Sequence, residues 1–196
     1  MLYSKQFIFG AVITFALASS CAAPKQSGVI IAPKPQPQQP QPLKDRFKFT
    51  YDEFKKTGKY EHTRWEGISF ASRSLKCVVI STGDAYAVSS YSGSSWLFHT
   101  KVAALIDGDV YETEEQSTLA GTVVRDISGK YVSETVYYPN SESFIGKIAE
   151  NKDKVIKIRL YGSKAYKEEV LADKDKQAFF DCWELAKMLK QKPDGN

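Results

Sequence analysis

The chain has 196 residues, of which 42% are hydrophobic and 26% are charged, so it contains enough apolar side chains for the core of one domain. Its net charge of +4 is small and its basic residues are interspersed with acidic ones, which argues against nucleic acid as a partner. The pattern of short apolar runs predicts an α+β fold, mainly an antiparallel β sheet or sandwich, with a C-terminal amphipathic helix packed on one face.

Residues 1–20 have the form of a signal peptide. Lys5 is followed at 7–18 by a dozen mostly apolar residues, fewer than the roughly 20 that span a bilayer. Residues 18–21, Ala-Ser-Ser-Cys, resemble the cleavage site of bacterial lipoproteins, although Ala18 stands where leucine is usual. We therefore expect cleavage before Cys21 and acyl chains, including palmitate, on that cysteine. An ordinary secretory signal cleaved after Ala18 is the alternative.

Acylation would make the chain a lipid-anchored protein of the cell envelope. Ala22, not aspartate, follows the cysteine, which in a Gram-negative cell favours the outer membrane over the inner one. Residues 21–42 then form the acylated cysteine and a tether that holds six of the eight prolines. A polyproline II tether reaches up to roughly 65 Å. A proline-rich ligand for another domain is the competing interpretation. One globular, β-rich domain is expected at 43–196.

Two cysteines remain in the expected globular domain, and an even number in an exported domain predicts a disulfide. Cys77 lies in a strand-like run, and Cys182 lies on the apolar face of the last helix. A bond between them would close a loop of about 105 residues and stabilise the fold by about 4 to 5 kcal/mol in a chain-entropy model. Two buried free thiols are the alternative.

Turn residues divide the domain into short strands. Asp52 is expected to cap a brief helical turn that carries Phe54, and a strand is considered for 60–70. Residues 96–106 form a strongly apolar run, and Asp107-Gly108 is the best hairpin signal in the chain. A second hairpin is predicted around 128–130, and 155–161 is predicted to pair with 166–171.

Two helices are predicted near the C-terminus. Ser141 can cap a short helix that ends at Glu150. The last helix begins near Asp173, and apolar residues recur in it at helical spacing. This stripe consists of Phe179, Cys182, Trp183, Ala186 and Leu189. We expect it to cover one face of the sheet, with Trp183 as the main contact.

Several of these residues occur in an order that resembles a known group of domains. The segments are 51–57 (Tyr-Asp-Glu-Phe-Lys-Lys-Thr), Tyr91-x-Gly93-x-x-Trp96-x-Phe98, Asp107-Gly108, Glu134 before Val136, and 158–162. They resemble uncharacterised small domains of bacterial and phage-associated proteins, several of which are lipoproteins. The resemblance extends over most of 47–183. It implies an antiparallel β domain with a terminal helix, and it implies no activity.

The sequence offers little for catalysis. His62 and His99 lie 37 positions apart without a metal-binding motif, so neither a metal site nor a cofactor is predicted. A surface-strand or core position is favoured for His99 over a catalytic role. The serine-rich segment 89–95 lacks G-x-S-x-G. No catalytic residue is assigned, and we expect no enzymatic activity.

Tyr91 and Trp96, beside the Gly-Ser turn, form the candidate binding surface, whereas Phe70, Phe98, Phe144 and Trp183 are assigned to the core. Three functions follow. The first is a non-enzymatic envelope protein that binds a protein or surface polymer, or has a structural role. The second is an exclusion or immunity lipoprotein that protects against phage or toxin. The third is a hydrolase, which the lack of catalytic motifs and the low histidine content disfavour.

Overall fold

The computed structural model describes residues 42–66 and 74–191, and in these ranges the predicted α+β class is confirmed. Ten strands are described: β1 Phe47–Asp52, β2 Thr57–His62, β3 Leu75–Ile80, β4 Ala85–Gly93, β5 Lys101–Ile106, β6 Asp109–Glu112, β7 Val123–Ser128, β8 Tyr131–Tyr138, β9 Ile156–Tyr161 and β10 Tyr166–Val170. The α-helices of the described residues are α1, Glu142–Glu150, and α2, Asp173–Lys190.

The strands form two antiparallel sheets. The larger sheet has six strands in the order β1-β2-β3-β4-β8-β7, and the smaller has four in the order β10-β9-β5-β6. All eight strand pairings among the described residues are antiparallel. Residues 94–100 connect β4 to β5, so this loop runs from one sheet to the other.

One hydrophobic core includes residues from both sheets and both helices. In β5 and β9 alternate side chains point into this core, as the period of two in a strand requires. The inward side chains lie opposite each other across the two strands: Val102 with Leu160, Ala104 with Ile158 and Ile106 with Ile156. The smaller sheet therefore has an apolar inner face, while Lys101 and Lys157 point outward.

The two helices pack against the larger sheet and against each other, with α2 on β3 and α1 on β4. The predicted packing of α2 on the sheet is confirmed, and of the predicted stripe Phe179, Cys182 and Ala186 are fully buried while Leu189 is half-buried. Trp183 is only half-buried and is not the main contact with the sheet. Its ring lies against α1, where a Cβ added to Gly146 would be 3.1 Å from it.

Both predicted hairpins are confirmed. Asp107 and Gly108 join β5 to β6 with φ values of 52° and 94°, the left-handed conformations of a type I′ turn. Gly129, with φ of 60°, lies in the turn between β7 and β8. The predicted pairing of 155–161 with 166–171 is also present, as β9 and β10.

The expected helical turn at 52–57 is instead the turn of a hairpin between β1 and β2. Asp52 accepts hydrogen bonds from the backbone nitrogens of Phe54 (3.1 Å) and Lys55 (3.0 Å) through Oδ1, and Phe54 is fully exposed. The strand considered for 60–70 already ends at His62, where a 3₁₀ turn begins. Phe70 lies outside the described residues.

Ser141 precedes α1 as predicted, but its side chain does not cap that helix. The hydroxyl donates to the backbone oxygen of Tyr138 at 2.6 Å and accepts from the backbone nitrogen of Ala87 at 2.7 Å. Ser141 therefore joins the start of α1 to β4 and β8.

Candidate functional site

Glu134 is a fully buried carboxylate on β8 that holds the loop 94–100 in place. Its Oε1 accepts hydrogen bonds from the backbone nitrogens of Leu97 at 2.6 Å and Phe98 at 2.8 Å. Its Oε2 accepts from the backbone nitrogen of His99 at 3.0 Å. Hydrogen bonds to an ionised acceptor are roughly twice as strong as neutral ones. The carboxylate therefore accepts from three successive N–H groups, two of which belong to the buried residues Leu97 and His99.

Glu134 is ionised at neutral pH. Burial alone would raise its pKa, but contact with the His99 side chain and the hydrogen bonds from Phe98 and Leu97 outweigh burial and lower the pKa to about 2. Arg125 contributes a further contact, with Nε 3.4 Å from Oε2. The charge is thus compensated by backbone dipoles and by neighbouring side chains.

A line of polar side chains continues from Glu134 into the core. Nδ1 of His99 lies 3.3 Å from Oε2 of Glu134, at an angle that forms no hydrogen bond in the described part of the chain. Nε2 of His99 is 2.8 Å from the Ser89 hydroxyl, which is 2.9 Å from the Tyr138 hydroxyl. Burial raises the pKa of Tyr138, so its hydroxyl keeps its proton.

The order Ser89, His99, Glu134 resembles that of a Ser-His-acid hydrolase triad. Each of the three side chains has 0% exposure, however, and the Ser89 hydroxyl also contacts Tyr138. No substrate carbonyl can reach Ser89 in this conformation. The hydrogen bonds of this arrangement hold the loop 94–100 in place over β4 and β8.

The backbone of the loop is tightly constrained. Phe98 has φ of 55°, a left-handed conformation that a non-glycine residue rarely adopts. The carbonyl oxygen of Leu97 approaches Gly162 so closely that a Cβ there would be 2.1 Å away. A side chain at position 162 would displace the loop, so glycine is required there for packing.

The constrained loop presents Trp96 and Phe98 at the surface. Their rings stack with centroids 5.8 Å apart at an interplanar angle of 28°. The guanidinium of Arg125 lies 5.0 Å from the centroid of the Phe98 ring, which is within cation–π range. The Phe98 residue is 44% exposed. We call Trp96, Phe98 and Arg125 the aromatic loop surface.

The predicted surface residues Tyr91 and Trp96 lie near this turn but have different roles. Trp96 belongs to the aromatic loop surface. Tyr91 is half-buried against the core and donates from its hydroxyl to the backbone oxygen of Ser95 at 3.1 Å, so it supports the loop from below. The assignment of Phe98 to the core is wrong, because the left-handed backbone turns its ring outward.

Cys77 and Cys182 are brought together as expected from their elements, and both are fully buried. The sulfur of Cys182 is 3.9 Å from the backbone oxygen of Cys77, and the two sulfurs are not at bonding distance. Burial raises the pKa of the Cys182 thiol, and the neighbouring Cys77 raises it further. The disulfide stays a prediction.

His62 belongs to a second buried polar cluster, which fastens α2 to the start of the domain. Asp181 on α2 is 3.1 Å from Nε2 of His62, and both of its oxygens are 2.9 Å from Arg46. Burial would raise the pKa of Asp181, but these two contacts and a hydrogen bond from Gln177 lower it. His62 therefore has a structural role.

The expected anchor, Cys21, lies outside the described residues. Neither α-helix of the described chain is both long and apolar enough to span a bilayer. Within residues 42–66 and 74–191, no cluster of three or more His, Cys, Asp or Glu side chains is placed to hold a metal ion.

No family model matches the chain. No curated protein matches it. No solved structure matches it.

Proposed function

We propose that this chain is a lipid-anchored, non-enzymatic binding protein of the cell envelope, attached to the membrane through acyl chains on Cys21. We further propose that it binds a protein partner with the aromatic loop surface. The observation that carries the second proposal is that a strained loop, held by a buried carboxylate, keeps a large aromatic side chain exposed to water.

Energetics support a binding role for this surface. A left-handed backbone at Phe98 costs roughly 1 to 2 kcal/mol, and the ring, which is 44% exposed, regains only part of this through its contacts with Trp96 and Arg125. Strain of this kind persists where the surrounding structure imposes it, and it is concentrated at ligand-binding sites. Because Glu134 fixes the loop before any encounter, a partner would meet an ordered surface and binding would need little further ordering.

The composition of the surface favours a protein over a polymer. Trp and Arg are enriched among the residues that dominate the energy of protein interfaces. The stacked rings offer an apolar face, and Arg125 places a positive charge beside it. A partner with an apolar side chain next to a carboxylate would match this arrangement.

Site-specific photo-cross-linking in intact cells tests the proposal. A photoreactive phenylalanine analogue at position 98 is expected to yield a protein adduct, and Trp96→Ala should remove most of it. The same analogue at Leu119, which is 97% exposed, is the matched control. Equal adducts at both positions would refute the surface assignment, and a protease-resistant carbohydrate adduct at position 98 would replace a protein partner by a surface polymer.

A further inference from the structure

Within the described residues β1 is an edge strand, and one side of its backbone pairs with no other strand. It is the first strand of the larger sheet and pairs with β2 on one side. An edge of this kind is a template for pairing with another strand. The register with β2 is continuous over all six residues, so β1 contains no bulge.

The direction of the free groups follows from β2. Gly58 accepts from the backbone nitrogen of Ser81 at 2.8 Å and donates to the hydroxyl of the same residue at 3.1 Å, so its N–H and C=O both point toward β3. Tyr51 lies opposite Gly58, and therefore its own N–H and C=O point away from β2. By alternation the same holds for Phe49, whereas the backbone of Thr50 faces β2.

Five of the six residues of β1 are also exposed to solvent, and Phe47 alone is buried. Phe49 is 50% exposed and Tyr51 is 54% exposed, and both lie on one face of the sheet. Lys48, Thr50 and Asp52 lie on the other face. Along that face the charges are positive, neutral and negative, so the strand is complementary in charge to a reversed copy of itself.

We propose that β1 pairs with β1 of a second copy of this chain, antiparallel and centred on Thr50. In this register Lys48 lies opposite Asp52 of the second copy, and Phe49 lies opposite Tyr51 of the second copy. The outward N–H and C=O groups of Phe49 and Tyr51 in both copies form four backbone hydrogen bonds. The two larger sheets become one sheet of twelve strands, related by a two-fold axis at Thr50.

Lys48 and Asp52 can each form the new ion pair while keeping the hydrogen bonds that they already make. Lys48 donates to Glu66 at 2.8 Å, and an ammonium group has two further donors. Asp52 uses Oδ1 for the turn, and within the described residues Oδ2 takes part in neither of those turn bonds. Opposite charges at facing positions of an antiparallel pair stabilise it, and like charges destabilise it.

Cysteine cross-linking tests the register. Thr50 would lie opposite its own copy in a pair without direct backbone hydrogen bonds, where Cα atoms are about 4.5 Å apart, within the range that a disulfide spans. Thr50→Cys is therefore expected to give a covalent dimer in the full-length protein on addition of an oxidant. Glu53→Cys is the matched control, because Glu53 is exposed, takes no part in the proposed charge pair and would lie six residues from its copy, so it should not link.

Charge exchange tests the pairing independently. In the Thr50→Cys background, Lys48→Asp or Asp52→Lys alone should lower the initial rate of dimer formation about tenfold, and the double exchange should restore it. The double variant keeps both local defects, the lost bond to Glu66 and the altered turn. Restoration therefore identifies the contact between copies.

Three results would overturn the proposal. The first is the absence of a dimer at position 50 in a folded protein. The second is equal linking at positions 53 and 50, which indicates random collision. The third is a cross-link from position 50 to a different protein, which would mean that the β1 edge receives a foreign strand.

Discussion

At the scale of single residues, Glu134 explains why 97–99 cannot be a strand. Successive N–H groups of a strand point in opposite directions, so three in a row cannot reach one carboxylate. The chain must alternate between right- and left-handed conformations to gather them, as in the anion-binding concavities that backbones form. Phe98, with φ of 55°, is the residue at which this happens.

Replacing Glu134 by Gln should destabilise the domain and change its response to acid. The uncharged amide turns NH₂ donors toward backbone donors, and we expect the free energy of unfolding at pH 7 to fall by about 3 kcal/mol. The pKa of Glu134 is depressed from 4.5 to about 2 in the folded state. The contribution of the charge is therefore complete above pH 4.5 and lost as the pH falls toward 2.

Urea unfolding at a series of pH values measures this difference. The gap between wild type and Glu134→Gln should be constant from pH 7 to 5 and should narrow below 4.5. Glu115→Gln is the control, because Glu115 is exposed and should change stability by less than about 0.5 kcal/mol. Parallel curves for wild type and Glu134→Gln down to pH 2 would contradict the role assigned to the charge.

Phe98→Gly should separate binding from stability. Glycine adopts φ of 55° without strain, so we expect the free energy of unfolding to change by less than about 1 kcal/mol, while the partner adduct formed by the same photoreactive analogue at the exposed position 95 is lost. The neighbouring Leu97→Ala should instead cost about 2 to 4 kcal/mol, because Leu97 is buried. If Phe98→Gly unfolds the protein, the ring supports the fold and not a partner.

The sequence contained one signal for this site. Glu134 stands between Val132 and Val136 on a strand, so a carboxylate occupies the apolar face where a third hydrophobic residue is expected. A buried charge needs partners, but alternation alone does not say which residues supply them. They come from 97–99, more than 30 positions away, and the apolar run at 96–106 concealed the loop.

At the scale of elements, we expect the packing of Phe179, near the middle of α2, to contribute most to holding this helix on the sheet. Phe179 is fully buried, whereas Trp183 is half-buried against α1. We therefore expect Phe179→Ala to cost about 3 to 5 kcal/mol and Trp183→Ala to cost clearly less. Thermal denaturation of the two variants gives the order, and a larger loss for Trp183→Ala would show that the contact between helices outweighs the contact with the sheet.

The contact between α2 and β3 also carries the predicted disulfide. Mass spectrometry of the non-reduced, freshly isolated protein should find Cys77 linked to Cys182. If they are linked, replacing both by Ala should lower the free energy of unfolding by about 2 to 5 kcal/mol. Recovery of two free thiols would instead leave the pair as a small, fully buried apolar contact.

Local sequence signals predicted individual strands and turns better than they predicted which strands pair with each other. Asp107-Gly108 specified its hairpin because only a few residues accept two left-handed positions in succession. The pairing of β4 with β8 was not predictable in this way, since a whole hairpin of the other sheet lies between them in the chain. Periodicity shows which side of a strand is buried, but it does not identify the neighbouring strand.

At the scale of the whole molecule, the anchor is the expectation that most affects function. Cys21→Ser should abolish acylation and release the protein into the soluble fraction, because the acyl chains on that cysteine are the proposed attachment to the membrane. Cell fractionation with a high-salt wash measures this, and Cys77→Ser is a control for loss of a cysteine elsewhere. A Cys21→Ser variant that stays in the membrane fraction would argue for another means of attachment.

The hydrogen bonds of Glu134 also determine how the molecule opens. Amide protons in an irregular loop normally exchange with solvent within seconds to minutes, since brief local fluctuations expose them. The N–H groups of Leu97, Phe98 and His99 are instead bound to a carboxylate in the core. Breaking these hydrogen bonds would leave the buried Glu134 carboxylate without those partners. We therefore expect these amide protons to exchange as slowly as those of the central strands, through opening of the entire domain.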